Sequence, residues 1–361
     1  MSGQTGQTAV PVSTGTVRNG VGVQKKVLYG LLLLGLIVAP MAGAYPVFVL
    51  KVMCFALFAC AFNLLIGFTG LLSFGHAAFF GGAGYAAGHA MKVWGVTPEL
   101  GLLIGTAGAA VTGWAMGALA IRRQGIYFSM ITLALAQMLY FFCLQAPFTG
   151  GEDGIQGIPR GNLFGLLPLG DDLVLYYVVL VIVVAAFALI VRIIHSPFGQ
   201  ILKAIKENEP RAVSLGYDVD RFKLAAFVLS AALSGLAGSL KALVLGFETL
   251  TDVHWSMSGA VILMTLVGGL GTLTGPIVGA LVVIALENKL GDLGTFLARL
   301  TGLDWFNTLG ESVTMVTGVI FVICVLTFRR GIVGEIIAKA AQWQQRRRPA
   351  APLGSHLVDR G

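Results

Sequence analysis

Residues 173–194 read LVLYYVVLVIVVAAFALIVRII, and residues 195–223 read HSPFGQILKAIKENEPRAVSLGYDVDRFK. The first stretch carries one charge, Arg192, in 22 residues. About 20 apolar residues in a helix cover the ~30 Å hydrocarbon core of a bilayer, so this stretch reads as a membrane span. The second stretch is polar, carries both signs of charge, and divides that span from another apolar run. A chain that alternates in this way is built for lipid.

The rest of the chain follows the same pattern. Of 361 residues, 56% are hydrophobic and 11% charged, with a mean hydropathy of +0.85. Soluble domains carry about 25% charged residues. Ten spans are expected, at 27–44, 47–67, 69–91, 99–121, 125–146, 173–194, 223–247, 256–274, 276–291 and 312–328. With the N-terminus inside, 18 of the 24 Lys and Arg fall on the inner side. The six on the outer side are Lys51, Lys92, Arg160, Lys241, Lys289 and Arg299. This bias sets orientation, and losing one span would put the basic tail or segment 195–222 on the wrong side. The net charge of +7 therefore marks topology. It is not a nucleic-acid face, because the basic residues flank spans instead of clustering on one soluble surface.

Residues 1–24, rich in Ser, Gly, Thr, Gln and Val, read as a disordered cytoplasmic tail. Ala42-Gly43-Ala44 has the small-x-small look of a leader cleavage site, but the preceding tail is long and no secreted domain follows. Cys54, Cys60, Cys143 and Cys324 lie in apolar runs without metal-ligand or C-x-x-C spacing, as small buried hydrophobes do.

Two regions are weak as plain helices. The third span holds Gly70, Gly75, Gly81, Gly82, Gly84 and Gly88, and the junction of the eighth and ninth reads VGGLGTLTGP over 267–276. Glycines let helix backbones approach closely. They also permit irregular backbone where it is buried in protein or lines a wet cavity. Both readings stand. Half-helix ends can offer a polar cargo both donors and acceptors from backbone alone. His76 is the histidine deep in a span; it either serves the substrate path or bonds a carbonyl of a broken helix. Asn63, Gly70, Ser73, Gly75, Gly82 and Tyr85 complete the candidate path, with interhelical hydrogen bonding as the competing role of the polar ones.

In segment 195–223, Ser196 and Pro197 form an N-cap and first helical position. Ile201, Leu202 and Ile205 give an apolar stripe at helical spacing. Asn208-Glu209-Pro210 opens a second short helix that Gly216 can close. Two amphipathic helices at the cytoplasmic surface are expected. They could lie on lipid, regulate, or dock in a groove of a cytoplasmic motor; charges of both signs argue against simple lipid adhesion.

This loop and LAAFVLSAALSGLAG over 224–238 resemble the membrane subunit of branched-chain amino acid ABC importers of the LivM type. So do NLLIGFTGLLSFGH over 63–76, GIYFS over 125–129, TGGEDGIQGI over 149–158 and GGLGTLTGP over 268–276. The resemblance covers about residues 45–335. It implies that segment 195–222 carries an EAA-type motif that couples to an ATPase. Glu207, Glu209, Ala212 and Gly216 stand where that motif falls, with Lys203, Lys206 and Arg211 beside them; Pro210-Arg211 interrupts a plain Glu-Ala-Ala. It further implies a second related permease subunit, two ATPase subunits, an extracytoplasmic binding protein, and alternating access.

G-x-x-x-x-G-K-[ST] does not occur, so ATP and Mg²⁺ are expected on the partner ATPase and no cofactor in this chain. Residues 150–154, GGEDG, lack the lysine and read as an outer turn. His89, His195, His254 and His356 are scattered, and no catalytic constellation is visible, which argues against an embedded enzyme. A secondary transporter would call for an intramembrane acid, whereas the acids here lie mainly at span ends or in loops. The expected protein is all-α and polytopic, in a bacterial inner membrane with both termini cytoplasmic. It comprises a tail (1–24), a permease domain (25–335) with coupling loop 195–222, and a basic tail (336–361). Its cargo is a branched-chain or related hydrophobic amino acid, with urea or short amides as the alternative. Its surroundings are lipid, not nucleic acid.

Overall fold

The computed structural model describes residues 35–40, 43 and 45–301, and further on 318, 319, 322, 326 and 331–335. The expected tails 1–24 and 336–361, and most of the first and tenth spans, lie outside the described residues. The described residues fall into two compact units, divided after Pro46. In the first, residues 35–38 are helical, and the Ala39 N–H donates to the Gly35 carbonyl at 2.9 Å.

The second unit is all-α apart from short strand pairs. It is polytopic. Its helices are α1 (Pro46–Thr69), α2 (His76–Lys92), α3 (Pro98–Ala120), α4 (Ile126–Gln145), α5 (Asp172–His195), α6 (Pro197–Glu207), α7 (Glu209–Ser214), α8 (Val219–Leu245), α9 (Trp255–Gly268) and α10 (Gly275–Thr301). Among the described residues α1, α3, α4, α5 and α8 are long and apolar enough to cross a bilayer. The expected spans 69–91 and 256–274 are shorter as helices: residues 70–75 and 269–274 are not helical. Span 276–291 is part of the longer α10.

Burial separates the centre from the rim. In their most apolar stretches α1 is 83% buried and α8 72%, against 33%, 28% and 33% for α3, α4 and α5. α1 is hydrophobic all round because it has neighbours all round. The rim helices turn Trp114, Met138, Phe141 and Val181 outward, where lipid tails meet them. The core is closed by small residues. A Cβ on Gly238 of α8 would fall on the Phe80 carbonyl and 3.0 Å from the Phe80 Cα, so α8 and α2 cross through bare backbone.

The connection from α4 to α5 is built of turns and two-residue strands. β1 (Ile155–Gln156) pairs antiparallel with β4 (Phe247–Glu248), with Ile155 opposite Glu248. β2 (Asn162–Leu163) pairs with β3 (Leu167–Pro168). The β1–β4 ladder holds the 147–158 loop against the connection between α8 and α9, at the end of the bundle remote from α6 and α7.

Candidate functional site

Segment 195–223 forms as its local chemistry dictates. The Ser196 hydroxyl accepts from the Gly199 N–H at 3.3 Å, with Pro197 at the first helical position of α6. The Asn208 side chain accepts from the Arg211 N–H at 3.0 Å and starts α7. Gly216, at φ 86°, ends it: the Gly216 N–H donates to the Val213 carbonyl and the Tyr217 N–H to the Ala212 carbonyl. This paired arrangement satisfies the last carbonyls and needs a left-handed residue. Ile205, Ala212 and Val219 bury one face of the two helices, with Ile201 and Phe222 packed against them.

The seven residues singled out in this loop divide into two groups. Lys203, Lys206 and Glu209 turn inward. The Lys206 Nζ donates to the Gly67 carbonyl at 2.7 Å, in the last turn of α1, where carbonyls lack helical partners and a cation meets the negative end of the helix dipole. The Lys203 Nζ stands 5.7 Å from the Phe68 ring centre. Glu209 Oε1 accepts from the buried Lys223 Nζ of α8 at 2.6 Å and from the Gln124 side chain at 3.0 Å. Ala212 is buried in the seam. Glu207, Arg211 and Gly216 face solvent, joined by exposed Val213, Leu215 and Tyr217, which the sequence reading did not single out.

Between α1 and α2 the chain is non-helical over residues 70–75, and side chains from other helices meet its polar groups. The Ser129 hydroxyl donates to the Leu72 carbonyl at 2.6 Å. The Phe74 N–H donates to the Thr132 hydroxyl at 3.2 Å, and the Gly75 N–H to the Ser73 hydroxyl at 3.1 Å. The Ala77 N–H, in the first turn of α2, donates to the Ser258 hydroxyl at 2.9 Å. Irregular backbone at membrane depth survives on such partners.

His76 opens α2 and is fully buried. Its Nε2 lies 2.9 Å from the Ser230 hydroxyl, which itself lies 2.6 Å from the Ala61 carbonyl. A hydroxyl has one hydrogen, and a carbonyl can only accept; that hydrogen goes to Ala61, so His76 donates from Nε2–H. Nδ1 is then the bare acceptor, and among the described residues it has no partner. Phe62, Phe79 and Phe227 surround the ring at centroid distances of 4.9, 5.5 and 6.1 Å.

The other path candidates are dispersed. Asn63 grips the α9–α10 junction: its Nδ2 donates to the Thr272 carbonyl at 2.8 Å, and its Oδ1 accepts from the Gly271 N–H at 3.0 Å. Gly70, at φ 79°, lies under the Lys206 side chain. Gly82 faces Leu139 of α4. Tyr85 is buried, and among the described residues its hydroxyl has no partner. Ser73, Gly75 and His76 are thus together at the break, while Asn63 and Tyr85 serve other places.

A charged cluster sits at the far end of α8. Lys241 is 3% exposed, Glu248 0% and Asp252 4%. The Lys241 Nζ bonds Asp252 Oδ2 and lies 3.3 Å from Glu248 Oε2. The Thr249 N–H also donates to Asp252 Oδ2, at 3.2 Å. A Cβ on Gly84 would stand 2.5 to 2.7 Å from the Glu248 carboxylate atoms, so this glycine admits the acid against α2. Burial pushes the Glu248 carboxyl well above the usual carboxylate range, against the pull of the Lys241 ammonium. Sequence reasoning used Lys241 only as a topology marker. The signal was a lysine inside an apolar run, which calls for a partner.

The chain matches the family described as branched-chain amino acid transport system / permease component over residues 45–327. It is 27% identical over 278 residues to the high-affinity branched-chain amino acid transport system permease protein LivM of Escherichia coli (strain K12), covering 69% of this chain and 64% of that protein. It is 25% identical over 190 residues to the probable branched-chain amino acid transport permease protein LivM of Methanocaldococcus jannaschii, covering 48% and 51%. It is 30% identical over 209 residues to the ribose import permease protein RbsC of Bacillus subtilis (strain 168), covering 56% and 64%. The match thus spans less than two thirds of the length of each of these relatives. No solved structure gives a significant match.

Proposed function

We infer that this chain, which belongs to the branched-chain amino acid permease family, is the membrane subunit through which an ATP-driven importer passes branched-chain or related hydrophobic amino acids. A permease subunit transports; it is not an enzyme. ATP and Mg²⁺ belong to two partner ATPases. A second related permease subunit and an extracytoplasmic binding protein complete the importer, in a bacterial inner membrane with ten spans and both termini cytoplasmic.

The observation that carries this reading is segment 196–218. One face is buried on the bundle, and the other presents Glu207, Arg211, Val213, Leu215 and Tyr217 to solvent. A short amphipathic helix pair with an apolar and charged outer face suits a protein groove better than a lipid surface. Its inner face is fastened to α1 through Lys206 and to α8 through Glu209 and Lys223. Closure of the ATPase pair would move the segment, and these two ties would carry the motion to α1, which leads into the 70–75 break, and to α8, which crosses α2 beyond it. The spans then reopen on the other side.

The test is uptake by the complex reconstituted with its ATPases and binding protein, offered leucine, isoleucine, valine, urea and ribose. ATP-dependent uptake of the three amino acids in preference to the others is expected. Preference for urea or ribose would overturn the substrate, and uptake without ATP hydrolysis would overturn the energy source.

A further inference from the structure

At the end of α8 remote from segment 196–218, a cavity of about 210 Å³ opens among α1, α8, α9, α10 and the connection after α8. Lys51 of α1, Lys241 of α8, Asp252 of the connection and Glu287 of α10 line it, with Phe55 and Met264 among its apolar wall. Two cations and two carboxylates therefore share one small space. The inner two, Lys241 and Asp252, are buried and bonded to each other. Lys51 and Glu287 are half-buried, and among the described residues neither is closed into an ion pair.

Charges are costly beside lipid and are kept where they meet charge. A neutral sugar calls for none of them. A zwitterion calls for a cation, an anion and, when its side chain is apolar, a hydrocarbon wall. The cavity offers all three. At ~30 Å³ per water, 210 Å³ is about seven water volumes, the scale of a free amino acid and below the ~300 Å³ at which drug-sized pockets begin.

We propose that this cavity is a transit subsite for a small zwitterionic amino acid: Lys51 holds its carboxylate, Glu287 its ammonium, and Phe55 and Met264 its side chain. The Lys241–Asp252 pair fixes the wall. The inference rests on the reading of the chain as an amino-acid permease, and the test separates the two. In the reconstituted full importer, leucine uptake is measured against concentration and normalised to assembled complex, with ribose as the uncharged comparison. Lys51→Met and Glu287→Gln should each raise the half-saturating leucine concentration about tenfold, with a much smaller change in maximal uptake. The exchange Lys51→Glu with Glu287→Lys should not restore it, because the zwitterion would then enter reversed and misdirect its side chain. Wild-type half-saturation in both single variants, or recovery in the exchange, would overturn the subsite and leave the two charges as a structural pair. Uptake of ribose and not leucine by the wild-type complex would overturn the amino-acid reading itself, before any variant is made.

Discussion

One hydroxyl hydrogen decides the role of His76. Because Ser230 gives it to Ala61, the imidazole must donate to Ser230, and its ring ties α2 to α8 while α1 is held through the same serine. Ser230→Ala would leave a buried Nε2–H without an acceptor, at a cost of about 1–3 kcal/mol. Adding His76→Phe removes both polar partners and keeps an aromatic body among Phe62, Phe79 and Phe227. The double variant should therefore be more stable than Ser230→Ala alone, read as the thermal midpoint of the purified complex. Gly75 and Gly82 of the third span also differ. A Cβ on Gly75 would stand 3.0 Å from Met116 Cε and 3.2 Å from the Thr132 carbonyl, a backbone atom that cannot turn aside. On Gly82 it would meet only Leu139 Cδ2, at 3.1 Å, the end of a flexible side chain. Gly75→Leu should abolish uptake per assembled complex, and Gly82→Ala should leave it near wild type. Equal losses in the two would remove the break at 70–75 from the mechanism.

The paired helices α6 and α7 divide labour between their faces. Glu207→Lys with Arg211→Glu alters only the outer face, so ATPase association should weaken while the fold holds, since rim charges set docking and register. Co-purification of the ATPase and thermal stability, measured on the same sample, check this together. Lys223→Met acts on the inner face. It removes the partner of Glu209 in a mostly buried pair, and the loss should approach the lower end of the ~3–5 kcal/mol typical of such breaks, because the Glu209 side chain is 28% exposed. These helices were legible in the sequence because Ser196, Pro197, Asn208 and Gly216 act on backbone within a few residues of themselves. The inward turn of Lys206 and Glu209 was not legible, since their partners lie 139 and 14 residues away. The same reason hid the position of the break. Glycines announced a weak helix between 69 and 91, but Ser129 and Thr132, 57 and 58 residues along the chain, decide which carbonyl and N–H can leave the helical ladder. Lys241 was read by its sign alone, because nothing local shows that a turn and a strand bring Glu248 and Asp252 back to it.

For the molecule as a whole, orientation is the quantity to measure. With Cys324 replaced by serine, cysteines placed at Asp153 and Glu207 sit at opposite ends of the bundle, and the native Cys54, Cys60 and Cys143 are buried and should not compete. Asp153→Cys should label from outside intact cells and Glu207→Cys only after the membrane is opened. Labelling of Glu207→Cys from outside would invert the topology. The crossing of α2 and α8 has a consequence that genetics can read. Where two helices meet through side chains, an oversized residue on one can be relieved by a smaller residue on the other. Gly82 is such a place, and Leu139→Ala should act as a suppressor of a bulky substitution there. Gly238 is not, since its neighbour is the carbonyl of Phe80 itself, which no codon can shorten. Selection for growth from a bulky substitution at 238 should return only changes at that codon, so this contact is mutationally isolated: drift can neither loosen it gradually nor compensate for it from across the crossing.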